Sequence, residues 1–334
     1  MKKMKKYALV LMSAIIVLAL AACGSKDGAS SDTKDEKAAA DGKTYKVGIT
    51  QIVEHPSLNE ATKGFKAALK DAGLKVDYQT EIAQGDPSLN TTAANNLVGS
   101  GVDLIFANST PSAQAVAAAT SDIPIIFTSV TDAVGAELVK TMEKPGGNVT
   151  GTVDTHPDAI PNTVKFLSEQ LGAKKVGMVF NSGEQNSRAQ VDSVKKEAKK
   201  VGITIVEASV STSAEVKQAT ESLVGKVDAF YIITDNTVVS ALESVLDVAN
   251  DKKMPVMVGE LDSVKRGGFG AYGFSYYDIG YEAGQKAVEI LKDGKKPADI
   301  SVAYPANLKL EINKTTADKI GVDIKDEWKA EVVK

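Results

Sequence analysis

"SGVDLIFANSTPSAQAVA" (residues 100–117) and "GKVDAFYIITDNTVVSAL" (residues 225–242) decide the fold. Each runs through Val-Asp into a short apolar stretch, breaks on small polar residues, and resumes as an alanine- or valine-rich segment. A short apolar run with a polar break behind it suits a strand covered on both faces that feeds a helix. Val102 and Val227 lie 125 positions apart. "YKVGITQIVEHPSLNEATKGFKAALKDAGLKVDYQT", from Tyr45, is echoed by "KKVGMVFNSGEQNSRAQVDSVKKEAKKVGITIVEASV", from Lys174, and Val47 and Val176 are 129 apart. "SDIPIIFTSVTDAV" is echoed by "KKMPVMVGELDSV", with Pro124 and Pro255 131 apart. Three elements at a nearly constant offset imply one arrangement built twice.

Within each copy, short apolar runs alternate with amphipathic stretches of helical length. That pattern predicts right-handed βαβ units and a parallel sheet. The expected fold class is α/β, with two doubly wound parallel-sheet lobes in succession. The C-terminal part extends neither repeat. "GFGAYGFSYYDIGYEAGQKAVEILKDGKKPADI" predicts a short segment and one long helix, and "LKLEINKTTADKIGV" a last strand and a short helix. The economical placement returns the chain to the first lobe near Gly273 and sends it back near Tyr304, making three crossovers. The expected organisation is residues 44–152 with 273–304 as lobe 1, and 153–272 with 305–334 as lobe 2.

The N-terminus carries a different signal. "MKKMKKY" is basic, and "ALVLMSAIIVLALAA" is an apolar stretch of signal-peptide length, short for a membrane span. It ends in "LAACGS", a match to a bacterial lipobox, which makes Cys23 a lipidated mature N-terminus. Cys23 is the only cysteine, as suits an exported protein that relies on its cores rather than on disulfides. Residues 1–23 are therefore expected to be the signal peptide and lipobox. Residues 24–43, Ser-, Asp-, Lys-, Ala- and Gly-rich, are expected to be a disordered tether.

Over the whole chain, a composition 25% charged and 43% hydrophobic reads as a soluble globular body, and the net charge of −4 gives no support for nucleic-acid binding, which needs a basic face. Two histidines and one cysteine make a His/Cys metal site poorly supported. HExxH, GxSxG, CxxC and the P-loop are absent, and the glycine-rich "KRGGFGAYG" lacks the strand–turn–helix setting of a dinucleotide fingerprint and is expected to be a loop leading into the second crossover, so no enzyme constellation is visible and no cofactor or metal is expected.

Ligands of open parallel sheets bind beyond the carboxyl ends of the strands, so the residues after each strand are the candidates. After the first come His55 and Ser57; His55 could hydrogen-bond a ligand, stack on it, or merely shape a His-Pro turn. After the third come Ser109, Thr110 and Ser112, hydroxyls at a helix start with Pro111 at its first position, suited to a carboxylate or phosphate. The matching joint of the second copy carries Asp235 and Asn236; Asp235 could be an ordinary helix cap or, facing the cleft, could suit an ammonium, with Asn236 adding an amide contact. A donor-rich joint facing a carboxylate fits the two ends of an amino-acid zwitterion. Further candidates are Ser129, Asp132, Asp154, Asn181, Ser182, Glu184, Asn186, Glu260 and Tyr276, with Tyr276 and Tyr277 near a crossover, for stacking or for packing.

"VGITQIVEHPSLNEATKGF", "NSTPSAQAVA", "TSVTDAVGAELV", "KPGGNVTG", "YDIGYEAGQKAVEILKDGKKPADI" and "INKTTADKIGV" together resemble the ABC-transporter substrate-binding lipoproteins of the tryptophan/tyrosine-binding type. The resemblance spans residues 46–322. It implies a type I periplasmic-binding-protein fold whose lobes close on a ligand, with an aromatic amino acid as the plausible one. It also implies partnership with an ABC permease and its ATPase, and a membrane association through the N-terminal lipid on the outer face of the cytoplasmic membrane. The chain is expected to act as a monomer, with no enzymatic activity. A surface adhesin on the same scaffold, or a binding protein for a different small solute, are the alternatives.

Overall fold

The computed structural model describes residues 42–334; Cys23 and most of the expected tether lie outside the described residues. The first copy runs β1 (Thr44–Gln51), α1 (Pro56–Asp71), β2 (Lys75–Ile82), α2 (Pro87–Gly99), β3 (Leu104–Asn108), α3 (Thr110–Ala119), β4 (Ile125–Val130) and β5 (Val149–Val153). The second runs α4 (Ala159–Glu169), β6 (Lys175–Asn181), α5 (Gln185–Val201), β7 (Thr204–Val210), α6 (Val216–Leu223) and β8 (Ala229–Ile232). It continues through α7 (Asn236–Ser240), α8 (Leu242–Asp251), β9 (Val256–Val258), α9 (Leu261–Lys265) and β10 (Gly270–Gly273). The tail adds α10 (Tyr276–Leu291), β11 (Lys309–Asn313), α11 (Lys314–Ile320) and β12 (Glu331–Val333).

Sheet order makes the repeat literal. The first sheet is β2-β1-β3-β4-β5 and the second is β7-β6-β8-β9-β10-β11-β12, so the first five strands correspond one to one. Small devices repeat with them. Asp103 accepts the Lys46 backbone N–H at 2.8 Å, and Asp228 accepts that of Lys175 at 2.8 Å. In both places an aspartate just before the third strand of the copy pins the start of its first strand. β3, β4 and β5 are buried at every position, as their apolar runs predict.

Each sheet is covered on both faces, but the covering helices are exchanged. After β5 the chain leaves the first sheet, and α4 packs on α5 and β10 of the second, where Val164, Phe166 and Leu167 enter the core. After β10 it returns, and α10 packs on α1, β4 and β5, with Ala283, Ala287 and Ile290 beside Val47, Phe65 and Phe106. The α1–α10 approach is close enough to require glycine. A Cβ at Gly280 would overlap the Ala61 carbonyl, and one at Gly64 the Tyr277 carbonyl.

The third passage explains one departure from an all-parallel sheet. Ala303 runs parallel to β5, bridging Thr152, and so climbs to the carboxyl end of the first sheet. The chain then enters the second sheet from the carboxyl end of β10. Lys309 of β11 pairs with Gly273, the last residue of β10, and β11 descends antiparallel to it. Among the described residues no helix is long and apolar enough to cross a membrane.

Candidate functional site

The carboxyl ends of both sheets converge on one buried cavity. It is lined by His55, Leu58, Ser129, Asp154, Thr234, Asn236, Val239, Glu260 and Tyr276, and the space at its centre is about 10 Å³. The lining comes from the α1 start, the β4 end, the first crossover, the β8–α7 joint, the β9–α9 joint and the α10 start. No one segment could build it. Among the described residues no cluster of three or more His, Cys, Asp or Glu is placed to hold a metal.

Six expected residues line the cavity: His55, Ser129, Asp154, Asn236, Glu260 and Tyr276. Asp154 sits in the first crossover, with Oδ2 accepting from the Tyr276 hydroxyl at 2.7 Å and Oδ1 from the Thr131 hydroxyl at 3.1 Å. Burial pushes its carboxyl up from the usual range, against the lowering effect of those hydrogen bonds. Burial, reinforced by the neighbouring Asp154 charge, raises the Tyr276 phenol well above its ordinary value, so it remains a donor. Its ring stacks on Phe274, with centroids 5.9 Å apart. Burial also raises Glu260, and the Ser263 hydroxyl and amide offset part of that. Glu260 caps α9, accepting from the Asp262 amide at 2.7 Å, and the Ser57 hydroxyl faces it without a hydrogen bond of ordinary geometry.

His55 stands at the N-cap position of α1, but its side chain makes no capping bond. The α1 start is therefore left with free amides at Ser57 and Leu58, behind Pro56. Burial, with a smaller push from the Arg266 charge, lowers the His55 pKa from 6.5 to about 3, so the ring is neutral. Arg266 is itself held by Glu243 at 2.7 Å and by the Val239 carbonyl at 2.8 Å, which stiffens one wall of the cavity. His55 Nδ1 and Ser129 Oγ are buried without a hydrogen-bond partner. An orphaned buried polar atom costs about 1–3 kcal/mol, so two on one cavity mark a place built to receive polar atoms. Ser129 also holds φ at 55°, a left-handed conformation that a serine adopts at some strain.

The other expected residues lie off the cavity lining. Asp235, not on that lining, caps α7 instead. It is fully buried and accepts from the Asn181 amide (2.6 Å), the Ser187 hydroxyl (2.6 Å) and the Val238 amide (2.8 Å). Those three donors occupy the carboxylate that an ammonium would need. Burial and the adjacent Glu184 raise its pKa to about 7. The hydroxyl joint also turns away. Ser112 donates to Asn90, Thr110 is buried without a partner, and Ser109 donates to Asn236 Oδ1 at 2.8 Å. Asp132 folds back to accept the Gly135 amide at 2.8 Å. Asn186 donates to Glu184 at 3.2 Å, and Ser57 lies behind the lining. Tyr277 is on the outer side of α10, stacked on Tyr281 with Lys63 above it.

The expectation missed Leu58, Thr234 and Val239. Leu58 directly follows Ser57, and Thr234 and Val239 lie in the quoted joint near the Asp235-Asn236 pair, so position along the chain could have found them. Gln190 had no such signal. It lies on α5, donates to the Thr131 hydroxyl at 3.1 Å, and accepts from the Thr234 hydroxyl at 3.0 Å.

With this geometry in hand, comparison with known proteins gives a consistent answer. A family model described as ABC transporter substrate binding protein matches residues 46–333. A tyrosine-binding protein of Clostridioides difficile (strain R20291) is 44% identical over 323 residues, covering 94% of this chain and 92% of that one. A crystal structure of an ABC domain in complex with L-Trp from Streptococcus pneumonia is 33% identical, covers 87% of this chain and 100% of its own, and superposes with a TM-score of 0.82. The ligand-free, open structure of a substrate binding protein with adhesive properties from Clostridium difficile is 40% identical, covers 87% and 99%, and gives 0.64. The chain is thus nearer in sequence to the open structure but nearer in shape to the L-Trp complex, and side-chain hydrogen bonds from Ser109 to Asn236 and from Gln190 to Thr131 join its two sheets in a closed arrangement. It has the two-lobed type I periplasmic-binding-protein fold, and it belongs to the ABC transporter substrate-binding protein family.

Proposed function

We propose that the chain captures a free aromatic amino acid, tyrosine or tryptophan foremost, between its lobes at this cavity, which must widen from its present volume to admit it, and presents it to an ABC permease driven by its ATPase. The observation that carries the reading is the buried Asp154 carboxylate, held by two neutral hydroxyls and raised by burial, on a cavity that also holds unpartnered His55 Nδ1 and Ser129 Oγ. A ligand ammonium beside Asp154 supplies the missing counter-charge. The ligand carboxylate goes to the α1 start, where uncapped amides and the helix dipole favour an anion. Leu58, Val239 and the Tyr276 ring supply apolar surface for the side chain. This replaces the Asp235 clamp expected from sequence. The printed ligands of the two relatives, tyrosine and L-Trp, support the choice of an aromatic amino acid.

The moving bodies in this proposal are residues 44–152 with 273–304 and residues 153–272 with 305–334, turning about the three passages. The chain works as a monomer, exported and held to the membrane by lipid on Cys23, which intact mass spectrometry of the mature protein checks.

The test is calorimetry of protein refolded free of co-purified solute, with L-tyrosine, L-tryptophan, L-phenylalanine and a sugar panel. Binding of an aromatic amino acid is expected. Asp154→Asn should weaken it by at least about 2 kcal/mol, the scale of a buried charge pair. Binding of a sugar alone, or unchanged affinity in Asp154→Asn, removes the proposal.

A further inference from the structure

Two chains of side-chain hydrogen bonds cross between the sheets, each through one residue of the cavity lining, Asn236 or Thr234. In the first, the Ser109 hydroxyl of the first lobe donates to Asn236 Oδ1 of the second at 2.8 Å, and Asn236 Nδ2 donates to Glu184 Oε2. Glu184 is wholly committed. Its Oε2 also accepts from Asn186 Nδ2 at 3.2 Å, and its Oε1 accepts from the Thr237 hydroxyl at 2.9 Å and the Thr237 amide at 3.3 Å. An amide side chain has one donor end and one acceptor end. A carboxylate, which only accepts, takes the donor end of Asn236 and so turns its oxygen toward Ser109. In the second chain, Gln190 accepts from the Thr234 hydroxyl (3.0 Å) and amide (3.2 Å), which turns its Nε2 outward to the Thr131 hydroxyl at 3.1 Å across the cleft. Ser109, Asn236, Glu184 and Gln190 are all buried in this arrangement.

We propose that Glu184 and Gln190 are positioning residues for lobe closure: each fixes the polarity of one cross-cleft hydrogen bond, and together they set how firmly the lobes hold a ligand that neither residue touches. The inference rests on the binding role proposed above but adds residues to it. The two chains act independently because they share no side chain. The Glu184–Asp235 pair supports the first. Two buried carboxylates side by side are held by Asn181, Ser187, Val238, Asn186, Asn236 and Thr237, a joint organised around fixing the α7 start rather than around a cation.

The experiment is a double-mutant cycle read by calorimetry with L-tyrosine or L-tryptophan, whichever binds the wild type, together with stopped-flow dissociation rates. Glu184→Gln, which can present a donor where only an acceptor fits, should raise Kd about tenfold, through faster dissociation. Ser109→Ala should do the same, and the pair together should cost about tenfold rather than a hundredfold, because Glu184 acts through the bond that Ser109 makes. Gln190→Ala combined with Ser109→Ala should multiply to about a hundredfold. Multiplicative effects of Glu184→Gln and Ser109→Ala, or an unchanged Kd in either positioning variant, overturn the proposal. Small-angle scattering separates this from failure of the ligand reading. Without added amino acid, Ser109→Ala/Gln190→Ala should have a larger radius of gyration than the wild type. Equal radii overturn the proposal even if no aromatic amino acid binds.

Discussion

Replacing His55 by glutamine, and measuring ligand affinity from pH 7 to pH 5, tests whether closure depends on a neutral imidazole. In the closed arrangement burial and Arg266 hold the His55 pKa at about 3, against 6.5 for an exposed ring. A base whose pKa is depressed by closure favours the closed form at high pH. That stability is intact above 6.5 and is lost as pH falls toward 3, because the open form takes up a proton that the closed form refuses. At pH 7 the loss is negligible. At pH 5 the ring is 1.5 units below its exposed pKa, which costs about 2 kcal/mol, or about a thirtyfold weaker apparent affinity. Neither end of an amino-acid zwitterion titrates in this window, so the slope belongs to the protein. The assay is isothermal calorimetry of L-tyrosine or L-tryptophan at half-unit pH steps. The wild type should weaken about thirtyfold from pH 7 to pH 5, and His55→Gln by less than about threefold. A flat wild-type profile, or a variant with the full wild-type slope, refutes the reasoning.

Gly280→Ala should destabilise the fold by at least about 2 kcal/mol, because the new methyl meets the Ala61 backbone carbonyl rather than a side chain that could swing away; thermal melting reads it as a drop of several degrees. Asp235 is pushed up to about 7, so the folded state holds its proton more tightly than the unfolded one. Its contribution to stability is favourable below about 4 and is lost as pH rises to about 7, and Asp235→Asn should remove that slope in urea midpoints taken at pH 4.5 and pH 8. Tyr276→Phe removes the donor to the buried Asp154 and should weaken amino-acid binding about tenfold by calorimetry, with a melting temperature lowered by about a few degrees.

The repeat could be read in the sequence because strands buried on both faces leave uninterrupted apolar runs, and because the spacing between matching strands barely drifts. The aspartates at 103 and 228 do the same task in each copy, so the quoted stretches aligned for a physical reason. The cavity was legible to the level of segments but not of rotamers. A carboxylate just after a strand can cap its own helix or face the cleft, and both choices leave the same trace in sequence. Asp235 takes the first and Asp154 the second, and that choice depends on partners far along the chain, Asn181 and Ser187 in one case and Tyr276 in the other. The direction of β11 was likewise invisible locally, since it follows from the end of the sheet at which the third passage arrives.

The exchange of α4 and α10 has a consequence for how the molecule can be divided. A chain ended after β5 keeps five paired strands but loses Ala283, Ala287 and Ile290, and so exposes the apolar face around Phe65 and Phe106. Its natural remedy is a helix lent by a second identical half, in the way that the two copies now lend helices to each other. The protein is thus built as a fused, mutually swapped pair of half-molecules. Neither lobe can be lifted out as a working part.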